Sequence, residues 1–186
     1  NNKAEMKTAL NQLLAMSKHA MDSSVCEVLY GRCGFLSAIL FIVSHTKDRT
    51  LLNHEVVHQV AESVIYEGQK YAHEKKLGNM MWVWHDSEYF GGAHGVSGIL
   101  STLLAFPLVV SAHRLEIIKL LDVCISDFRF PDTGNFASSP RGLRKKRDEL
   151  VQFCHGAPSF VTLFCNAINS EALFPAEDEV SQQRKR

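Results

Sequence analysis

Three short glycine turns, each followed at once by an apolar run of helix length, constrain the fold of this 186-residue chain most strongly. The turns centre on Gly31, Gly95 and Gly156, about 60 residues apart, a period longer than that of the common solenoid repeats. Glycine lets the backbone turn tightly, and the helix that follows directs its free N–H groups back at the turn. The spacing therefore predicts three equivalent helix starts at one end of the molecule.

Two kinds of helical pattern alternate along the chain. Runs that are apolar on nearly every side are typical of buried helices, and these are 35–44, 96–110 and 160–168. Runs that are apolar on one face are typical of half-exposed helices, and these are 6–21, 51–76 and 113–128. Inner and outer helices in alternation predict an all-α fold, an α/α toroid. No segment predicts a strand, and Pro107 is expected to kink or end the helix that contains it.

The composition limits the domain organisation and the partners. Apolar residues make up 46% and charged residues 22% of the chain, so a globular domain is expected rather than a disordered one. We expect a partial barrel domain over residues 1–170 and a polar C-terminal tail over 171–186. The 20 basic residues balance 20 acidic ones, and the basic run 141–147 lacks interleaved aromatic residues, so nucleic acid is not an expected partner. The longest apolar run, 35–43, is shorter than the roughly 20 residues that a membrane span needs.

The cysteines and the N-terminal sequence predict a cytoplasmic protein. Five cysteines, an odd number, are scattered through apolar segments, which favours reduced thiols over a disulfide framework. The first residues lead straight into an amphipathic pattern and lack the features of a signal peptide.

The three turns carry motifs that are specific when taken together. Glu27 to Gly34 reads EVLYGRCG, Gly92 to Gly98 reads GAHGVSG, and Gln152 to Pro158 reads QFCHGAP. In this order they resemble consecutive repeats of the LanC-like family, and more narrowly the eukaryotic LanC-like proteins related to bacterial lanthionine synthetase cyclase. The resemblance covers roughly residues 24–168.

The resemblance implies an α/α barrel with zinc at its centre and a thiol-addition activity. Bacterial members add cysteine thiols to dehydrated Ser or Thr, and the eukaryotic relatives bind glutathione and add it to dehydroamino acids. Zinc lowers the pKa of a thiol and holds the thiolate, while a neighbouring acid or base handles the proton. The implied partners are glutathione or another thiol, and peptides or proteins that contain dehydroamino acids. The expected location is the cytoplasm, with peripheral association at the plasma membrane as a further expectation.

Four residues match positions that the family uses. By resemblance, Cys154 is the first zinc ligand and His94 is the active-site histidine. Glu27 lies where the family has an acidic residue before the first turn, and Arg147 matches a basic residue upstream of the zinc cysteine. The resemblance thus implies His94, Glu27 and Arg147 as catalytic residues and Cys154 as a metal ligand.

The chain also departs from the family pattern. The other two zinc ligands form an adjacent Cys-His pair in a later Cys-His-Gly motif, which this sequence does not contain, and the glutathione contacts lie in later repeats as well. In the family pattern His155 belongs to the third turn rather than to the ligand set, and Ser159 replaces the glycine that closes this turn. About half of a barrel is therefore expected.

Each candidate residue also has a plain structural interpretation. His94 could cap a buried helix, Cys154 could be a small buried apolar side chain, and Glu27 could be a helix-end charge. Trp82 and Trp84 could line the barrel mouth or simply pack in the core.

Three functions stay open from the sequence. The first is a zinc-dependent enzyme that adds a thiol, and the second is a non-catalytic LanC-like module that binds a thiol or a partner protein. The third, from another class, is an α/α-toroid glycosidase, which would need two flanking carboxylates such as those of Glu27 and Asp86.

Overall fold

The computed structural model describes residues 3–175, and most of these residues are helical. The α-helices in this range are α1 (Lys3–Ala15), α2 (Ser17–Asp22), α3 (Arg32–Thr46), α4 (Glu55–Lys75), α5 (Val96–Leu103), α6 (Pro107–Ala112), α7 (Arg114–Asp127), α8 (Pro140–Arg144) and α9 (Ala157–Ile168). A 3-10 helix spans Arg49–Asn53, and two short strands, β1 (Val83–Trp84) and β2 (Ser87–Glu88), form the one sheet of the described residues.

Helices α3, α5 and α9 lie side by side in that order and form the inner layer. Helix α5 packs against both of its neighbours and is buried at every position except Ser101, as its continuous apolar sequence predicts. Helix α4 packs on the outside, against α2, α3 and α6, and turns an apolar face inward while its polar face stays exposed. The all-α class and the partial α/α toroid are therefore confirmed.

The apolar run 96–110 is not one helix. Helix α5 ends at Leu103, and α6 begins at Pro107, which occupies the first helical position. Proline fits that position because its missing N–H would have no partner there, and it favours an extended residue before it, as seen for Phe106 at φ −112° and ψ 89°. The expectation that Pro107 kinks or ends a helix was wrong, because this proline starts one.

The other helices are confirmed with shifted ends. The expectation that the runs 35–44 and 160–168 are buried on nearly every side was wrong, because no described element covers the faces that carry Phe41, Val161 and Ile168, which are exposed. The run 6–21 divides at Met16, whose N–H donates to the carbonyls of both Gln12 and Leu13, a tightening that ends α1. The run 51–76 begins with the 3-10 helix, and α4 starts only after His54, whose Nδ1 accepts from the N–H of Val56 at 3.3 Å.

The strand pair is a second correction, since no strand was expected. β1 and β2 pair antiparallel through Val83 with Glu88 and Trp84 with Ser87. The two residues between them, His85 and Asp86, have φ of 46° and 55°, as in the tight left-handed turns that join hairpins. Strands of two residues are too short to produce an alternating pattern in the sequence.

Packing continues past residue 170 at the C-terminal end. Leu173 is fully buried, and its carbonyl accepts a hydrogen bond from Nε of Arg114 at 2.7 Å. Most of the expected tail, residues 176–186, lies outside the described residues. Within residues 3–175, no helix is long and apolar enough to cross a membrane.

Candidate functional site

The first two glycine turns share one pattern of backbone hydrogen bonds. We name the three turns by their residues: turn 1 is 25–34, turn 2 is 89–98 and turn 3 is 150–159. In turns 1 and 2, the glycine N–H donates to the carbonyl four residues earlier, and each of the next two N–H groups donates to the carbonyl seven residues earlier. The pairs are Gly31 to Glu27, Arg32 to Val25 and Cys33 to Cys26 in turn 1, and Gly95 to Gly91, Val96 to Tyr89 and Ser97 to Phe90 in turn 2. The internal repeat suggested by the sequence is thus a repeat of structure.

Glycine is required at the same place in all three turns. A Cβ at Gly31, Gly95 or Gly156 would lie within 3.0 Å of the carbonyl oxygen six residues earlier, closer than real Cβ atoms approach. Gly156 also has φ of 117°, which L residues rarely adopt. Because the glycines are equivalent, so are the residues just before them, Tyr30, His94 and His155. One aromatic or imidazole side chain from each repeat therefore occupies the same position in its turn.

Direct hydrogen bonds place the turns side by side. The N–H of Val28 donates to the carbonyl of Ala93 at 3.1 Å, and the N–H of Gly92 donates to the carbonyl of Phe153 at 3.1 Å. Turns 1 and 3 thus flank turn 2, and the starts of the three inner helices lie together as expected.

Ser159 replaces the glycine that closes turn 3 in the family pattern, and its hydroxyl makes two hydrogen bonds. Its hydroxyl is buried, accepts a hydrogen bond from Ser97 Oγ at 2.8 Å, and donates to the carbonyl of Gly156 at 3.2 Å. The extra side chain therefore links α9 to α5 at the point where two helix starts meet.

Glu27 and His94 form the centre of the site. Oε2 of Glu27 lies 2.6 Å from Nδ1 of His94, and the two carboxylate oxygens also accept the N–H groups of Leu29 (3.0 Å) and Tyr30. The Glu27 side chain is only 1% exposed and that of His94 13%. A buried carboxylate with three donors is fixed in place, so it can hold the imidazole of His94 in one orientation.

Aromatic rings surround His94. The indole of Trp84 stacks on the imidazole with 3.7 Å between ring centroids and 6° between planes. Tyr89 lies between the two histidines, 5.8 Å from His94 and 6.1 Å from His155. Tyr30 stacks parallel to Trp84 at 6.3 Å, so Trp84 joins turn 1 to turn 2. The site is therefore an aromatic-lined cluster with a hydrogen-bonded carboxylate–imidazole pair inside it.

His155 contributes a second imidazole beside this pair. Its side chain is partly buried, and its Nδ1 is buried without a hydrogen-bond partner among the described residues. Burial lowers the pKa of His155, and repulsion from the His94 ring, when that ring is protonated, lowers it further. His155 is thus held toward its neutral form.

Cys154 lies in turn 3 directly against turn 2. A Cβ at Gly91 would overlap the carbonyl oxygen of Cys154, so only glycine lets the two turns come this close. The Cys154 thiol is partly exposed, with Sγ 3.6 Å from Oε1 of Gln152. Among residues 3–175 no three His, Cys, Asp or Glu side chains are grouped to hold a metal ion. One thiolate does not form a tetrahedral zinc site, so the described residues do not fit zinc by themselves.

A polar groove of about 380 Å³ lies beside the cluster, with Tyr89 in its wall. Arg141 and Arg144 line it together with Asp86 and Glu88, so the groove presents both charges. Both arginines are exposed at the surface of α8.

The other residues singled out in the sequence, Arg147, Trp82 and Asp86, lie outside the cluster around His94. Arg147 is exposed, and its side chain makes no hydrogen bond or ion pair with the described residues, so the structure does not bring it to Glu27 or His94. Trp82 is core: it is 3% exposed, and its Nε1 donates to the carbonyl of Val64 at 2.8 Å. Asp86 is exposed at the hairpin turn.

Sequence reasoning left Trp84 open and missed Tyr89 and the pairing of Tyr30 with Trp84. The position just before each turn glycine was a usable signal, because it holds Tyr30, His94 and His155 in register. The place of Trp84 had no such signal, since a two-residue strand carries it.

Comparison with known proteins agrees with this geometry. The sequence profile described as "Lanthionine synthetase C-like protein" matches residues 1–183. The chain belongs to the lanthionine synthetase C-like family. The family assignment made from the three turn motifs is therefore confirmed.

Two relatives show how much of a family member this chain spans. A zebrafish (Danio rerio) protein named Glutathione S-transferase LANCL1 is 28% identical over 170 residues, which cover 88% of this chain and 41% of the relative. An Arabidopsis thaliana protein named LanC-like protein GCL1 is 30% identical over 151 residues, which cover 81% of this chain and 33% of the relative. The chain thus spans less than half the length of these LanC-like relatives.

Proposed function

We propose that this LanC-like chain takes part in adding a thiol, with glutathione as the leading candidate, to dehydroamino acids in peptides or proteins. The observation that carries the proposal is the buried Glu27–His94 pair at 2.6 Å, placed beside the turn that holds Cys154. The name of the zebrafish relative, a glutathione S-transferase, supports the choice of thiol.

In this proposal His94 is the acid and the base. A carboxylate can only accept, so Nδ1 of His94 carries the proton shared with Glu27, and Nε2 has the free electron pair. In the proposed reaction Nε2 takes the proton of the thiol as sulfur bonds to the β-carbon of the dehydroamino acid. The electron pair of the double bond moves to the α-carbon, which then takes the proton back from Nε2. The thiol adds across the double bond, and no oxidant or leaving group is needed.

In this scheme Glu27 is a positioning residue. It fixes the ring of His94 and its negative charge favours the imidazolium formed between the two proton transfers. Arg147 has no part in the scheme, and the two arginines of the polar groove, Arg141 and Arg144, are better placed to bind a carboxylate of the peptide.

Zinc remains a separate proposal. A bound zinc ion would supply a thiolate at neutral pH, and we propose that Cys154 provides one of its ligands. By the family resemblance the other two ligands form a Cys-His pair that this sequence does not contain, so they would have to come from another chain. Elemental mass spectrometry of the purified chain beside Cys154→Ala tests this: zinc that disappears in the variant supports it, and equal zinc in both contradicts it.

The proposed compartment is the cytoplasm. All five cysteines are free, and three of them, Cys26, Cys33 and Cys124, are buried as thiols. Such a pattern suits a reducing environment.

The second candidate is a non-catalytic module that binds a thiol or a partner protein. The incomplete metal-ligand set of the described residues favours it. The glycosidase alternative has no such support, because Glu27 is buried and both of its oxygens are already hydrogen-bonded within the protein.

One assay separates the two candidates. The chain is mixed with zinc, glutathione and a dehydroalanine peptide, and adduct formation is followed by mass spectrometry against the uncatalysed rate. We expect acceleration that is lost in His94→Gln and kept in His73→Gln, an exposed histidine of α4. Glutathione binding by calorimetry without acceleration would instead support the non-catalytic module.

A further inference from the structure

Trp84 covers one face of the His94 ring. The ring centroids lie 3.7 Å apart and the planes differ by 6°, so the contact is a parallel stack. This tryptophan is not among the residues that the turn motifs single out.

The other contacts of His94 leave a single nitrogen open. Nδ1 is held by Glu27 at 2.6 Å, and the ring of Tyr89 approaches at 5.8 Å with a tilt of 59°. Within residues 3–175, Nε2 of His94 has no hydrogen-bond partner. Its position therefore depends on the two contacts that fix the ring, the carboxylate in the ring plane and the indole across the ring face.

Trp84 is itself held by the β1–β2 hairpin. The neighbouring His85 packs its ring against the indole at 4.3 Å with 75° between planes, and its backbone has φ of 46°. The hairpin is tied to α4, because Tyr71 Oη donates to Oε1 of Glu88, the residue paired with Val83, at 3.1 Å. The left-handed residues His85 and Asp86 close the two-residue turn of this hairpin. Here that turn carries the indole over the site.

We propose that Trp84 is a positioning residue for His94, and this inference rests on the proposed thiol-addition function. The imidazole turns about its Cβ–Cγ bond, and a single hydrogen bond at Nδ1 still allows a range of rotation about that bond. The stacked indole removes this freedom, because the two ring planes must stay parallel to keep the contact. The carboxylate and the indole together set the place of Nε2, the atom that exchanges the proton.

Kinetics give the first expected effect. A displacement of about 1 Å in a catalytic group can cost about 10²-fold in rate. Trp84→Leu keeps an apolar side chain but removes the ring face, so kcat should fall about 10²-fold while KM changes little. Trp84→Phe restores a ring face and should recover most of kcat. Tyr66→Leu, which removes an exposed aromatic ring of α4, is the matched control and should leave both constants unchanged.

The second readout does not depend on activity. The side-chain nitrogen signals of His94 are recorded by NMR on the ¹⁵N-labelled chain at one pH, for the wild type and the three variants. If Glu27 holds the neutral ring in one tautomer, with the proton on Nδ1, the two nitrogens of the wild type give well-separated signals. In Trp84→Leu we expect these signals to broaden or move toward each other, with a return in Trp84→Phe. Circular dichroism checks that each variant is folded, and Trp84→Met replaces Trp84→Leu if the latter is not.

The outcomes separate this inference from the function it rests on. If the His94 signals of Trp84→Leu coincide with those of the wild type, Trp84 does not position His94, whatever happens to the rate. If the wild type adds no thiol, the proposed function fails, and the nitrogen signals still decide the role of Trp84. Shifted signals that Trp84→Phe does not restore would also contradict the inference, because they would show a general loss of packing.

Discussion

Oε2 of Glu27 and Nδ1 of His94 lie 2.6 Å apart although 67 residues separate them in the sequence. Glu27 belongs to turn 1 and His94 to turn 2, and the two turns meet through the hydrogen bond from Val28 N–H to the Ala93 carbonyl. The pair therefore forms only when two successive repeats dock correctly. The contact between its two side chains also helps to hold the two repeats together.

Replacing the Glu27 carboxylate should destabilise turn 1. In Glu27→Gln, an NH₂ group replaces one of the two carboxylate oxygens that accept the backbone N–H groups of Leu29 and Tyr30. One of these buried N–H groups therefore loses its acceptor. We expect the free energy of unfolding to fall by about 1–3 kcal/mol. Urea denaturation measures this, with Glu74→Gln on the exposed face of α4 as the matched control. Equal midpoints for the two variants would contradict the account of turn 1.

The contact between turns 2 and 3 depends on Gly91. In Gly91→Ala the new Cβ would overlap the carbonyl oxygen of Cys154, so the turns must move apart. We expect a loss of about 1–3 kcal/mol in the free energy of unfolding, the usual cost of overpacking. Gly78→Ala is the control, since its Cβ would have no atom within 4 Å, and it should stay within about 0.5 kcal/mol of the wild type. A tolerated Gly91→Ala would show that the turns are not closely packed.

Arg32, the arginine of the first turn motif, should act in structure rather than in chemistry. It is 5% exposed and donates to the carbonyls of Ala20, Met21 and Ser63, besides pairing with Glu67 at 3.5 Å. Removing it leaves a partly buried carboxylate and three carbonyls without their donor, so Arg32→Met should cost about 3 kcal/mol or more.

Thermal unfolding checks this prediction beside Arg49→Met, an exposed arginine of the 3-10 helix. A small loss in Arg32→Met with a large loss of glutathione binding would assign Arg32 to the site instead.

The five thiols should differ in reactivity according to their burial. Burial raises the pKa of Cys26 to about 12 and also raises the pKa values of Cys33 and Cys124, whereas Cys154 is partly exposed and Cys165 is exposed. Iodoacetamide at pH 8 should therefore label Cys154 and Cys165 in the folded chain and spare the other three, as peptide mass spectrometry would show. Rapid labelling of Cys124 in the folded chain would contradict the packing of α7.

The three buried thiols, Cys26, Cys33 and Cys124, should make the free energy of unfolding depend on pH. In the unfolded chain a thiol ionises near its ordinary pKa of 9.0, while in the folded chain these three stay protonated. Above about pH 9 the unfolded state thus binds fewer protons than the folded state, and the free energy of unfolding should fall as pH rises. Urea midpoints measured from pH 8 to pH 10.5 should decrease.

The fold was readable from the sequence where the pattern was long. Fully apolar runs after a glycine predicted the helices α3, α5 and α9. Only α5 is buried on nearly every side, since Phe41 of α3 and Val161 and Ile168 of α9 are exposed. Pro107 was misread because a proline suits the start of a helix as well as its end, and only the extended Phe106 before it decides between them.

The candidate site was readable only in part. The family resemblance named His94 and Glu27 as separate candidates, but it did not predict their contact, which depends on the docking of two turns that no local pattern encodes. Trp84 was ambiguous because the hairpin that aims it has strands of two residues and a turn of His85 and Asp86, not the glycine that usually marks such turns. Ser159 looked like a defect in a motif and is instead a buried hydrogen-bond partner of Ser97.

The most direct test of the central claim, that Glu27 and His94 act as one acid–base unit in thiol addition, is a double-mutant cycle on the adduct-forming rate. Glutathione addition to a dehydroalanine peptide is measured for the wild type, Glu27→Gln, His94→Gln and the double variant. If Glu27 acts through His94, the double variant is no slower than His94→Gln alone. Losses that multiply in the double variant, or a wild-type rate no faster than the uncatalysed reaction, would contradict the claim.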